Sequence, residues 1–193
     1  MGRHLLTAIG GAVLGSLAGS TASATSVQYQ QISGQPYDSL EVRPRPTAPP
    51  REFVAYSGPY APGTVVISTE ERRLYFVLPG SQAIKYGIGV GRPGFEWGGI
   101  RKVSMKREWP SWRPPREMRR RRPDLPSFMA GGLDNPLGAR AMYLAGTLYR
   151  IHGSNEPQTI GQAVSSGCIR MTNEDVMDLY ERVKVGTRVV VLR

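Results

Sequence analysis

From Thr64 onward the apolar positions come in short runs, three to eight residues long, broken by Gly, Pro and charged residues. That spacing is the pattern of strands rather than of long helices. Val65-Val66-Ile67 and Leu74-Tyr75-Phe76-Val77 flank the polar turn Glu70-Glu71-Arg72 and predict a hairpin. Ala83 to Val90 and Ile100 to Met105 predict two further strands, parted by a Gly/Pro-rich turn from Gly91 to Gly99. Ala141 to Leu144, Tyr149 to His152 and Arg188 to Leu192 complete the set. The fold class expected is mainly β, a sandwich or barrel-like domain. Only one segment carries the helical period. Val176, Leu179, Tyr180 and Val183 form an i, i+3, i+4, i+7 stripe, read as a face packed on the sheet. Thr172 followed by Asp175 is a capping-box-like start, with Glu174 and Asp175 in the first turn, and Gly186 is the expected stop.

Two stretches lack period. Residues 25–62 are rich in Pro, Ser, Gln and Gly, including Arg43-Pro44-Arg45-Pro46, and are expected to be a flexible linker. The segment from Glu108 to Ala139 is long, irregular and Pro-rich, and holds Trp109, Trp112 and the basic run Arg119 to Arg122. A loop of that length inside a domain tends to be functional, so it is expected to cover or line a site. The arginine run suits a solvated loop or a contact with substrate or an anionic surface, and the two tryptophans suit local packing.

The extreme N-terminus changes the setting. Arg3 and His4 precede the small and apolar run Leu5 to Ala18, and Ala22-Ser23-Ala24 supplies a small-x-small cleavage pattern. Residues 1–24 are thus expected to be a signal peptide cut after Ala24, leaving a protein free in an extracytoplasmic space without a stable membrane span. Export makes nucleic acid a poor partner for the net positive charge of +10. Cleavage would leave one histidine, His152, and one cysteine, Cys168. No metal site and no organic cofactor are expected from so few soft ligands.

Those two residues lie 16 positions apart in one polar, Gly-flanked stretch. A lone cysteine is often a small buried hydrophobe and a lone histidine a satisfied core residue. A thiol kept for its reactivity needs a base beside it, and His152 alone offers an imidazole. Tyr149 to Ile151 would deliver His152 at a strand end, while Ser165-Ser166-Gly167 would present Cys168 in a tight turn. Gly167 permits close backbone approach, and N–H groups around Cys168 suit an oxyanion. Arg170 could hold the turn or take a substrate carboxylate.

At these residues the chain resembles the L,D-transpeptidases, the YkuD-type catalytic domain of bacterial cell-wall enzymes. The likeness spans residues 63–193 and rests on His152-Gly153-Ser154-Asn155, on Ser165 to Cys168, and on Ile169-Arg170-Met171. Asn135 to Gly138, with Ala141, Tyr143 and Leu144, resembles the family's approach to the histidine strand. Many members carry a second histidine where this chain has Ser166. The resemblance implies Cys168 as nucleophile, His152 as base and the Gly153 carbonyl as the group that orients it. It implies a substrate or oxyanion side formed from Ser154, Asn155, Tyr143, Ser166, Gly167 and Arg170. The implied reaction is acyl transfer from a peptidoglycan tetrapeptide stem, through a Cys168 thioester, to the amine of a neighbouring stem. Water as acceptor would make a carboxypeptidase or endopeptidase, and a lysine of an outer-membrane protein would make an anchoring enzyme. A non-catalytic cell-wall binding module is the reading from another class.

Overall fold

The computed structural model describes residues 48–193. The expected signal peptide and most of the expected linker lie outside the described residues. Eleven strands, β1 (Glu52–Ala55), β2 (Val65–Ser68), β3 (Arg73–Leu78), β4 (Gln82–Gly87), β5 (Val90–Gly91), β6 (Gly99–Glu108), β7 (Arg140–Leu144), β8 (Arg150–His152), β9 (Ala163–Ser165), β10 (Ile169–Arg170) and β11 (Arg188–Leu192), accompany two helices, α1 (Arg116–Arg121) and α2 (Asn173–Arg182). The mainly β expectation holds. Nine strands form one sheet in the order β1-β4-β3-β2-β11-β6-β7-β8-β10, and β5 pairs with β9.

The hairpin read around Glu70 is β2–β3, antiparallel with Val65 opposite Phe76. The C-terminal strand β11 inserts parallel to β2 at the sheet's centre. β6 joins the two halves: its first residues pair with β11 and its last with β7, with a register shift between Val103 and Met105. A bulge bends a strand and increases its twist, so the sheet curls where β6 changes partners. The concave core holds Ile67, Leu74, Ile84, Tyr86, Met142, Ile151 and Val189, and α2 lays Val176, Leu179 and Val183 into it. At the start of α2 the Thr172 hydroxyl accepts from the Asp175 N–H at 3.2 Å, satisfying one orphan donor. The helix ends at Arg182 with Val183 as its cap, before the expected stop. Gly186 (φ 93°) instead makes the turn into β11.

Three expectations need correction. The linker does not run unstructured to residue 62. Residues 52–55 form β1 on the edge of β4, and Arg51 reaches Asp178 at 3.2 Å. Pro49 fills the space that Gly87 leaves open, where a Cβ would come within 2.7 Å of its carbonyl oxygen. Next, Ala83 to Val90 is not one strand. The chain leaves the sheet after Gly87, and Gly89 exchanges two 2.9 Å backbone bonds with Arg170, which draws β5 to the site. Finally, the segment from Glu108 to Ala139 contains α1 and a bridge between Trp112 and Met129. Arg119, Arg120 and Arg121 lie in the last turn of α1, where cations oppose the helix dipole favourably.

Candidate active site

The site begins with a register. β8 and β10 run parallel, Ile169 opposite Ile151 and Arg170 opposite His152. Successive side chains on a strand alternate between faces. Arg170 therefore shares a face with His152, and Cys168 lies just before β10, two positions from Arg170. Ile151 and Ile169 turn the other way into the core. Both His152 and Cys168 line one cleft of about 350 Å³. Around them stand Tyr149, Arg150, Ser166 and Arg170, and across them Trp112, Pro115, Met118 and Arg121 of the 108–139 segment. That segment lines the site, as its length suggested, and Trp112 faces the cleft besides its backbone bridge to Met129.

The imidazole is buried and aimed. His152 is 4% exposed, and its Nδ1 lies 2.6 Å from the Gly153 carbonyl oxygen. A carbonyl only accepts, so Nδ1 carries the proton and Nε2 keeps its lone pair. Burial drives the imidazole pKa down to about 3; the Gly153 carbonyl opposes this, and the cations Arg170 and Arg150 add to it. His152 is therefore a neutral base across the physiological range. Gly153 also lets the chain approach closely, since a Cβ there would run into Asn173, whose Oδ1 accepts from the Ala139 N–H at 2.9 Å.

The cysteine turn is braced from three sides. The Ser165 hydroxyl accepts from the Gly167 N–H at 3.1 Å and donates to the Cys168 carbonyl at 2.6 Å. The Trp97 indole donates to the Gly167 carbonyl at 2.6 Å and stacks on Tyr149 with centroids 4.8 Å apart. Arg92 donates to the Ser166 hydroxyl at 3.1 Å. Gly167 holds φ at 102° with the Tyr149 ring against its Cα, so a side chain fits neither the backbone nor the space. Its N–H is engaged by Ser165, whereas the N–H of Cys168 makes no hydrogen bond among the described residues. The Cys168 amide, rather than that of Gly167, is thus the donor open to an oxyanion.

The remaining candidates separate. Ser166 and Arg170 line the cleft, but the Arg170 guanidinium already pairs with Glu156 at 3.0 Å. Ser154, Asn155 and Tyr143 do not line the cleft that holds Cys168. The Ser154 hydroxyl caps the Glu156 N–H at 3.0 Å, and Asn155 ties down the Asp134 carbonyl at 2.9 Å. Tyr143 receives the Arg150 cation at 5.2 Å from its ring centre. Sequence reasoning missed Trp97 and Arg92, and read Ser165 only as part of the turn that presents Cys168. The only signal for the first two was their place in the Gly/Pro-rich turn from Gly91 to Gly99, a turn with no evident partner until the chain folds.

Comparison with known proteins gives the chain its family. A family model described as the YkuD L,D-transpeptidase catalytic domain matches residues 62–191. A probable L,D-transpeptidase of Escherichia coli, ErfK/SrfK, is 41% identical over 137 residues, covering 66% of this chain and 43% of that protein. The chain thus spans less than half the length of that curated relative. A solved structure from Brucella melitensis, named as a probable carnitine operon oxidoreductase, is 50% identical with a TM-score of 0.50, covering 74% of this chain and 93% of that one. An L,D-transpeptidase from Mycobacterium smegmatis shares the fold at 17% identity and a TM-score of 0.54, covering 67% and 58%. With its catalytic-domain model matched over two thirds of its length, the chain belongs to the YkuD family of L,D-transpeptidase catalytic domains.

Proposed function

We propose that this domain is a periplasmic acyltransferase that cross-links peptidoglycan stems through a thioester on Cys168. The observation that supports the reading is that the one cysteine of the sequence and a buried, neutral imidazole line the same open cleft. The Cys168 sulfur attacks the carbonyl of the diamino-acid residue of a tetrapeptide stem while His152 Nε2 takes the thiol proton. The Cys168 N–H steadies the oxygen of the tetrahedral intermediate. Collapse breaks the C–N bond, and the proton passes from His152 to the departing amine of the terminal D-alanine. A side-chain amine of a second stem then attacks the thioester, giving its proton to His152 and restoring the thiol. Dividing the exchange into two steps is the usual gain of covalent catalysis.

The neutral imidazole favours this order of events. Protonating it in its buried setting costs about 5 kcal/mol relative to an exposed histidine, from 1.36 kcal/mol per pKa unit. His152 therefore holds a proton only while negative charge develops beside it, on sulfur or on the intermediate. The oxidoreductase name of the Brucella melitensis chain is not carried over, because the family model matched over residues 62–191 is an L,D-transpeptidase catalytic domain.

Intact-protein mass after exposure to a tetrapeptide stem tests the proposal. The expected product is an adduct of the stem minus D-alanine, lost in Cys168→Ala, followed by linked stems when an amine acceptor is added. Tripeptide and free D-alanine without linked stems would assign hydrolysis instead, and an outer-membrane protein lysine can be offered as acceptor in the same assay. An unmodified wild-type thiol in the presence of every stem would refute the reading.

A further inference from the structure

The cleft has a second limb. Next to the Cys168 pocket, and sharing Trp112, Met118, Arg121, Ser166 and Arg170 with it, lies a depression of about 500 Å³ that also reaches Arg92. Phe95 lines the Cys168 pocket. The Arg92 guanidinium lies 4.2 Å from the centre of that ring and the Arg121 guanidinium 6.0 Å from it. One cation comes from the turn after β5 and the other from the end of α1, so the fold brings together two like charges from distant parts of the chain.

Three neighbouring cations are neutralised: Arg170 by Glu156 at 3.0 Å, Arg120 by Glu117 at 3.0 Å, and Arg122 by Asp124 at 2.6 Å. Arg150, on the wall of the Cys168 cleft, is not ion-paired among the described residues and lies 5.2 Å from the Tyr143 ring centre, on a different ring. Neither Arg92 nor Arg121 forms an ion pair among the described residues. Among the acidic groups on the same walls, Glu117 and Glu156 are engaged as above and Asp134 lies in the second limb. Arg92 is held in place besides. Its backbone N–H donates to the Ser165 carbonyl at 3.0 Å, and its side chain donates to Ser166, two residues before the nucleophile. Two guanidinium groups near one aromatic ring, neither of them ion-paired among the described residues, offer planar donors to a carboxylate.

We infer that Arg92 and Arg121 together bind a carboxylate of the peptide stem and so select stems that carry a free one near the scissile bond. This rests on the proposed acyl transfer and deepens it. The donor stem offers two such groups, the terminal carboxylate of the departing D-residue and the carboxylate on the side-chain end of the diamino acid. Arg170, the cation that sequence alone nominates for this duty, is already paired. Ser166, where many relatives place histidine, serves the pair by fixing Arg92.

The test measures thioester formation by intact mass with three donors: a tetrapeptide stem, the same stem with a C-terminal amide, and a stem amidated on the diamino acid. Wild-type protein should acylate faster with the free carboxylate than with its amide by about tenfold, the effect of one charge-assisted hydrogen bond. The donor whose amidation removes the preference identifies the bound carboxylate. Arg92→Gln and Arg121→Gln should each reduce the preference, Arg92→Gln more, and Arg92→Lys should restore part of it. Circular dichroism and thermal unfolding establish that the variants are folded. A double variant that keeps the wild-type preference for both carboxylates would overturn the inference while leaving the thioester, and hence the acyl transfer, intact. If no stem forms a thioester the acyl-transfer reading fails by itself. The arginine pair is then read from the ratio of Cys168 alkylation by iodoacetate to that by iodoacetamide. The double variant should lower that ratio several-fold, and an unchanged ratio overturns the inference.

Discussion

Because His152 is buried as a neutral base, the protein should lose stability in mild acid in a way traceable to one side chain. The imidazole pKa lies at about 3 in the fold against 6.5 when exposed. Between those values the unfolded chain binds a proton that the folded chain refuses, so stability falls as pH falls. The slope is about 1.36 kcal/mol per pH unit, and at pH 5 the loss amounts to about 2 kcal/mol. The stabilising contribution is complete above pH 6.5 and drains away below it. His152→Asn removes the titration while leaving an amide able to donate to the Gly153 carbonyl. Urea unfolding of both proteins from pH 4.5 to 8 gives the comparison. Asp175, whose pKa burial raises, and Asp178, whose pKa the Arg182 hydrogen bond lowers, titrate in both proteins and cancel in the difference. The difference curve should be flat above pH 7 and bend downward below 6.5. Parallel curves across the whole range would show that His152 is open to protons in the fold and would remove the neutral-base argument.

Other outcomes follow from single contacts. Gly167→Ala should cost about 3 kcal/mol or more in thermal unfolding, since it adds left-handed strain to a collision with the Tyr149 ring. Gly146→Ala, at φ 69° with open space around it, should cost only about 1 kcal/mol; equal losses would refute the packing argument. Trp97→Phe keeps an aromatic ring against Tyr149 but deletes the indole donor to Gly167, so it should cost about 1 kcal/mol and slow thiol acylation. A chain beginning at residue 63 lacks β1 and the Arg51–Asp178 pair and should melt several degrees below one beginning at residue 48. Equal melting temperatures would return the domain boundary to residue 63.

The parts of the fold that could be read in advance are those whose signal is local. Leu74 to Val77 and Arg188 to Leu192 are apolar runs bounded by turn residues, and Thr172 with Asp175 announces its own helix. β1 was missed because Glu52-Phe53-Val54-Ala55 sits among prolines and leaves Phe53 72% exposed, so pairing with β4 rather than burial makes it a strand. β10 is two residues long, and its existence depends on β8 and Gly89 being beside it. The site shows the same division. Cys168 and His152 stand out by scarcity and by setting, and their meeting at one cleft depends on a β8–β10 pairing no local pattern displays. Arg170 looked free in sequence and is paired, whereas Arg92 looked like a loop residue and borders the nucleophile's turn. Electrostatic partners come from distant segments, so charge alone does not reveal which cation is left for a ligand.

The bonds around the proposed nucleophile leave free the groups that the proposed reaction needs. Ser165 satisfies the Gly167 N–H and the Cys168 carbonyl, Trp97 satisfies the Gly167 carbonyl, and the Met171 N–H satisfies the His152 carbonyl at 2.9 Å. Among the described residues the thiol, the Cys168 N–H and the Nε2 lone pair carry no hydrogen bond. Ser165 is thus a positioning residue, and Ser165→Ala distinguishes that role from simple packing. Losing both bonds should cost about 2 kcal/mol of stability. It also releases the Gly167 N–H and lets the turn wander, so acylation by a stem should slow at least tenfold even where the variant is fully folded. Alkylation by a small neutral reagent depends on the thiol and its base rather than on the turn's orientation, and should change far less. If acylation and alkylation fell together, Ser165 would be acting on the reactivity of the thiol itself. If neither fell, the turn would owe its shape to Gly167 and Trp97 without help from the hydroxyl.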